Sequence, residues 1–143
     1  MCRVHATVRG LLGEIVEGAS DVAVADMEAG LEHLSRGTPR HVGAMVAVLE
    51  PYYRSLETGA RVLELARELG VRQAYAVANK LRSQADREAV EDFCQRRGVS
   101  LLGHVPHDEA ILEADRQGAA LLDHSPGAPS VRAIASIGDR LLG

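Results

Sequence analysis

Three short stretches of the chain carry side chains suited to a charged or planar ligand: Asp26-Met27-Glu28-Ala29-Gly30, Asn79-Lys80 and Val105-Pro106-His107-Asp108. Each follows a run of small or β-branched apolar residues, the pattern of a short strand that ends on a polar group. A carboxylate at such a place can hold Mg²⁺ through water. An asparagine can present a donor and an acceptor to a purine edge, and a proline loop can wall off a base. Together the three stretches read as half of a nucleotide site. Each also has a plainer use, since an aspartate can simply cap a helix, Asn-Lys can be a turn, and Val-Pro-His-Asp can start a helix.

The elements that must position these stretches follow from the spacing of apolar residues. Residues 21–25, 44–49, 73–78 and 100–104 are strand candidates, and the middle two are continuous apolar runs, as expected of strands buried on both faces. Roughly 18 to 23 residues separate them, the length of a crossover that holds a helix and returns to a parallel strand. The spacing therefore predicts an α/β fold of three layers, a parallel sheet with helices on both faces. All three polar stretches then fall at one edge of that sheet, where open α/β folds bind ligands.

The helices announce themselves by caps and stripes. Leu56, Ala60, Leu63 and Ala66 form one apolar face, with Ser55 as N-cap candidate and Gly70 as stop. Ser83 opens a second helix, whose Ala85, Ala89, Val90 and Phe93 are expected on the sheet and whose stop is Gly98. Cys94 lies beside that face and reads as a small buried hydrophobe. Asp108 caps a third helix that Gly118 ends. Ser125-Pro126-Gly127-Ala128-Pro129 is a turn, and Ser130 is the cap candidate of a last helix with the stripe Val131, Ile134, Ile137 and Leu141. Val4, Val8, Leu11, Leu12 and Ile15 fit an opening helix.

Composition narrows the function classes. The 143 residues suit one domain, only 3% are aromatic, and the formal net charge is −4. No basic run with interleaved aromatics exists to track nucleic acid, so DNA and RNA are not expected partners. No stretch approaches the roughly 18 apolar residues that span a bilayer, and no basic-then-apolar leader opens the sequence, so a cytoplasmic protein is expected. Cys2 and Cys94 form no disulfide framework. His33, His41, His104, His107 and His124 lack the spacing that puts two imidazoles on one helical face and read mostly as surface or loop residues.

The run 26–38, the Asn79-Lys80 pair, and the stretches 103–110 and 113–115 together resemble the CooC-type ATPases that mature carbon monoxide dehydrogenase. These are nickel-insertion proteins of the MinD/ParA-like, deviant Walker A group of P-loop NTPases. The resemblance spans nearly the whole chain, and Glu28-Ala29-Gly30-Leu31-Glu32-His33 is its more specific element. It implies a nitrogenase iron protein/MinD-like fold, with ATP and Mg²⁺ as cofactors. Asp26 then matches the Walker B-like aspartate near Mg²⁺, and residues 28–38, with Glu28 and Gly30, match the switch region that senses the γ-phosphate. Asn79, with Lys80 beside it, matches the adenine reader, and Pro106, His107 and Asp108 line the base. Met27 departs from the small hydroxyl residue common after this aspartate.

Neither G-x-x-x-x-G-K-[ST] nor its deviant form occurs in the 143 residues. The chain is therefore expected to be a C-terminal portion, a truncated or split member lacking the P-loop strand and without independent ATPase activity. In the family's sheet that strand lies between those matching 21–25 and 44–49. Closing the gap requires a shift of about 4.8 Å, and leaving it open exposes two apolar edges. Either outcome predicts poor solubility or a complementing P-loop chain. Cys2-Arg3-Val4-His5 resembles the tail of the family's Cys-x-Cys pair, which implies nickel or zinc held between two subunits of a homodimer, with Cys2 as a ligand. The implied partner is carbon monoxide dehydrogenase or a related nickel enzyme. A non-enzymatic dimerisation or partner-binding module of the same fold is the alternative. A phosphoacceptor receiver domain fits badly, because Asn79 stands where such a domain needs its aspartate.

Overall fold

The computed structural model describes residues 22–27 and 42–143. The first strand is β1 (Ala44–Leu49), and α1 (Tyr53–Glu68) returns the chain to β2 (Gln73–Leu81). Next come α2 (Gln84–Arg97), β3 (Ser100–Pro106), the short helices α3 (Glu109–Arg116) and α4 (Leu121–His124), and α5 (Pro129–Leu142). The described strands form one parallel sheet in the order β1-β2-β3. Right-handed crossovers through α1 and α2 are the expected consequence of twisted parallel strands.

Strand alternation divides the core into two faces. Ala47, Leu49, Ala74, Ala76 and Ala78 point to one side and pack with Leu56, Ala60 and Leu63 of α1 and Val90, Phe93 and Cys94 of α2. Tyr75, Val77, Leu102 and Val105 belong to the other side, where Ala133, Ile137 and Leu141 of α5 cover them. This is the three-layer arrangement that the spacing predicts. Alanine dominates the middle of β2, and such small residues let the helices approach the sheet closely. A Cβ at Gly59 of α1 would collide with the Leu49 side chain, and one at Gly103 of β3 would sit 2.5 Å from Ile137 Cγ1.

Several local readings are corrected. Residues 22–25 carry no ladder: residues 22–27 form an exposed stretch without regular structure, and Val24 is 91% exposed. An extended segment becomes a strand only beside a hydrogen-bonding neighbour, and none of the described strands lies next to this one. Ser55 does not cap α1. Tyr52 holds the N-cap position without a side-chain bond, while Ser55 Oγ accepts from the Glu50 N–H at 2.9 Å. Ser130 is not a cap either, since Ala128 is the N-cap of α5 and Pro129 takes the first turn, where a missing N–H costs nothing.

On α2, Ala85 and Ala89 are exposed, and Val90, Phe93 and Cys94 make the buried face instead. On α5, Ile134 is 53% exposed, because Ala133, Ile137 and Leu141, spaced by four, set the packed face and leave Ile134 on its flank. His104 is a half-buried residue of β3 rather than a loop histidine. The remaining stops fall where expected, with Gly70, Gly98 and Gly118 at positive φ just past helix ends. The expected opening helix lies outside the described residues. Among the described residues, no helix is long and apolar enough to cross a membrane.

Candidate nucleotide site

The C-terminal ends of β2 and β3 are joined more tightly than ordinary strand ends. Both strands run further than their apolar runs, so Asn79 and Lys80 lie within β2 and Pro106 ends β3, where loops were expected. After Ala78 the register shifts, and pairing resumes at Leu81 with Pro106. The shift is made by Lys80, whose φ of 57° is the one positive value among the described non-glycine residues. Asn79 Oδ1 accepts the Lys80 N–H at 2.9 Å, a local bond that helps hold this left-handed turn. The His107 N–H then donates to the Leu81 carbonyl at 2.8 Å and carries the stitching one residue past β3. Pro106 is tolerated because β3 is the outermost described strand on its side.

Lys80 Nζ reaches across to Glu50 Oε1 at 2.9 Å, just beyond the end of β1. The hydrogen bond with Glu50 pushes the lysine pKa up. All three strand ends are thus linked, β1 to β2 by Glu50 and Lys80, and β2 to β3 by Leu81 and His107. Glu50 is absent from the sequence-derived site. The signal that marked Asp26, a carboxylate directly after an apolar run, marks Glu50 equally, because Glu50 closes the run 44–49 and precedes Pro51.

Asp108 is engaged on both oxygens. Oδ1 accepts from the Ala110 N–H at 3.0 Å, capping α3, and Oδ2 accepts from the Ser130 N–H at 3.1 Å and Oγ at 2.8 Å, in the first turn of α5. Those Ser130 bonds, then the Ala110 bond, hold the Asp108 carboxyl below the usual carboxylate range. Ser130 is completely buried. Its side chain is the hinge pin between the loop after β3 and the last helix.

A cleft of about 480 Å³ opens beside β3, between the end of β2, the start of α2 and Ala133 of α5. Arg82, Arg87, His104 and Pro106 line it, and of the sequence-derived site residues only Pro106 does so. His104 Nε2 is buried 2.9 Å from Glu91 Oε1, within ion-pair range but without hydrogen-bond geometry. Burial, reinforced by Arg87, lowers the His104 pKa against the opposing pull of Glu91. The start of α2 is closed by its own capping box, in which Ser83 Oγ accepts from the Asp86 N–H and Asp86 Oδ2 accepts from the Ser83 N–H.

Asp26 is exposed in the stretch 22–27, and no hydrogen bond or ion pair among the described residues joins it to Asn79, Lys80 or Pro106. The described contacts therefore join the strand end of Asn79 and Lys80 to that of Pro106, His107 and Asp108, and none of them involves Asp26. Cys2, Glu28 and Gly30 lie outside the described residues. Mg²⁺ keeps much of its water and takes one or two carboxylates besides substrate phosphates, so an exposed aspartate suits it. For nickel or zinc the described residues offer no comparable donor set. No group of three or more His, Cys, Asp and Glu residues gathers among them, and burial pushes the Cys94 thiol up, away from the thiolate a metal needs.

The fold is that of MinD. The chain superposes on the MinD of Pyrococcus horikoshii complexed with Mg-ADP at a TM-score of 0.77 and 20% identity, covering 96% of this chain and 56% of that one. It superposes on the MinC:MinD complex of Aquifex aeolicus at 0.76 and 20%, covering 97% and 59%. In fold the chain matches MinD, and in sequence it is similar to the CooC type. It is 42% identical over 126 residues to the carbon monoxide dehydrogenase accessory protein CooC of Rhodospirillum rubrum, covering 88% of this chain and 47% of that protein. An uncharacterised ATP-binding protein of Methanocaldococcus jannaschii is 33% identical over 94% of this chain and 52% of its own length. The chain thus spans about half the length of the curated relatives it matches. No protein-family model matches it.

Proposed function

We propose that this chain forms the base-reading and Mg²⁺ side of an ATP site, in an accessory protein that supports nickel insertion into carbon monoxide dehydrogenase or a related nickel enzyme of the cytoplasm. The observation that carries the reading is the stitching of the Asn79-Lys80 end of β2 to the Pro106–Asp108 end of β3. It joins the strand end that carries Asn79 to the strand end that carries Pro106, and an amide edge with a proline wall is the pair of surfaces that supports a purine on its edge and its face. CooC resemblance supplies the identity of the base and of the served enzyme. Asp26, and with it Glu28 and Gly30, would face the phosphates, where Mg²⁺ supplies charge neutralisation. Asn79 would orient the base, with Lys80 beside it, and the loop 106–108 would exclude water from one side of it. Cys2 would contribute to a nickel or zinc site shared between the two subunits of a homodimer.

Phosphate anchoring is the part these 143 residues do not carry, because they contain no P-loop lysine or glycine nest. The purified chain is accordingly expected to be stabilised against heat by millimolar ATP with Mg²⁺, while hydrolysing ATP no faster than the buffer background. Turnover clearly above background would overturn the assignment of catalysis to a complementing P-loop segment. Absence of any nucleotide effect on melting, together with a stable homodimer, would favour the interaction-module reading. The observation on that side is the solvent-facing Val48, 61% exposed on the wholly apolar strand β1.

A further inference from the structure

We infer, on the nucleotide reading above, that Glu50 is a positioning residue for the base, acting by tying Lys80 back toward β1. The strand order places β1 and β3 on opposite sides of β2. A ligand that uses both Asn79 and Pro106 must therefore sit on the β3 side of the end of β2. Lys80 stands between these positions on an exposed, flexible four-carbon stem, and its left-handed backbone turns the chain at that point. Its ammonium is drawn the other way, to Glu50 Oε1 at 2.9 Å across 30 residues of sequence.

Glu50 is itself held in place. Its N–H donates to Ser55 Oγ at 2.9 Å, and its carbonyl accepts from the Tyr52 N–H at 2.8 Å, so the anchor belongs to the first turn of α1 rather than to a loose loop. The neighbouring cations on the β3 side, Arg82 and Arg87, line the cleft there and offer Lys80 only repulsion. With Glu50 present, the ammonium leaves the space between Asn79 and Pro106 clear. Without it, the lysine samples that space, and a base has to restrict the side chain before it can enter. The pair lies on the surface, with the lysine side chain 57% and the glutamate 31% exposed, so its removal should matter little to folding.

The test is a titration of ADP without Mg²⁺ into the ¹⁵N-labelled chain, followed by NMR, for the parent, Glu50→Gln, Lys80→Met and the double variant, with melting temperatures measured alongside. In the parent, the perturbed amides are expected to centre on 79–82 and 105–108. Glu50→Gln should weaken ADP binding about two- to fivefold, the range a solvent-exposed ion pair can supply. In the Lys80→Met background the same substitution should change nothing, because Glu50 acts only through the lysine. Melting temperatures of all four proteins should stay together. Unchanged or tighter binding by Glu50→Gln overturns the inference, as does an equal loss in the Lys80→Met background. If the parent binds no ADP, the nucleotide reading itself fails and takes the inference with it.

Discussion

At the scale of single residues, Asp108 shows how one carboxylate can join two helices. Its folded pKa lies below the ordinary value of 3.8, so its contribution is complete above that value and disappears as pH falls through the lower, folded one. Asp108→Asn keeps one acceptor oxygen and turns a donor toward donors. The variant is expected to melt below the parent at pH 7, and the gap between the two should close as pH is lowered below about 3.8 in parallel thermal scans. An equal gap at every pH would show that the carboxylate charge contributes nothing. The capping role of Asp108 on α3 was legible in the sequence, because a helix stripe follows it directly. Its second bond was not, because nothing in the local spacing ties position 108 to position 130, 22 residues on. Ser130 misleads for the same reason: a serine before an apolar stripe looks like a cap until Pro129 takes the first turn.

At the scale of elements, the apolar-run and stripe patterns recovered β1, β2, β3, α1 and α2 nearly to their ends, because each of them buries a regular face. The errors sit where burial is partial. Residues 21–25 have the composition of a strand, but a strand is made by its neighbours. The ends of β2 and β3 were placed short of their true positions, because Asn79 and Lys80 form an unpaired irregularity inside β2 and Pro106 ends β3, residues that no propensity favours in a strand. Close packing between α1 and β1 offers a direct check. Gly59→Ala would drive a methyl group into Leu49, which is 1% exposed and has little room to move. Overpacking of this kind costs about 1–3 kcal/mol and the better helix propensity returns at most about 1 kcal/mol. Chemical denaturation should show the variant destabilised, and Leu49→Val in the same chain should recover part of the loss. A stabilised Gly59→Ala would show that Leu49 repacks freely.

At the scale of the whole molecule, the sequence told more about kinship than about completeness of the site. The resemblance to CooC came from short runs of polar residues at strand ends, and those survive in any portion of the fold that contains them. Their three-dimensional assembly is a separate matter, since among the described residues no hydrogen bond or ion pair reaches from Asp26 to Asn79 or Pro106. The expectation of exposed apolar surface can be tested on the chain itself. Val48, on the α5 face of β1, is 61% exposed, and the outer side of β1 carries no ladder among the described residues. Size-exclusion chromatography over a range of concentrations should show self-association of the parent, and Val48→Lys should reduce it without lowering the melting temperature. Equal elution of the two proteins at every concentration would exclude this face as the cause.

Among the described residues the two faces of the sheet are covered unequally. Thirteen buried residues lock the α1 and α2 side, whereas three buried residues, flanked by half-buried ones, meet α5 on the other. Free energy of local opening follows the density of buried contacts, so of these two described layers the α5 side is the one expected to loosen first. The Asp108–Ser130 bonds sit on that boundary, tying the base-side loop to the looser helix. Breathing of α5 is therefore transmitted to the residues around the proposed base pocket, while the Glu50–Lys80 end, anchored in α1, stays still. A partner that pressed α5 onto the sheet would quiet the pocket without ever touching it.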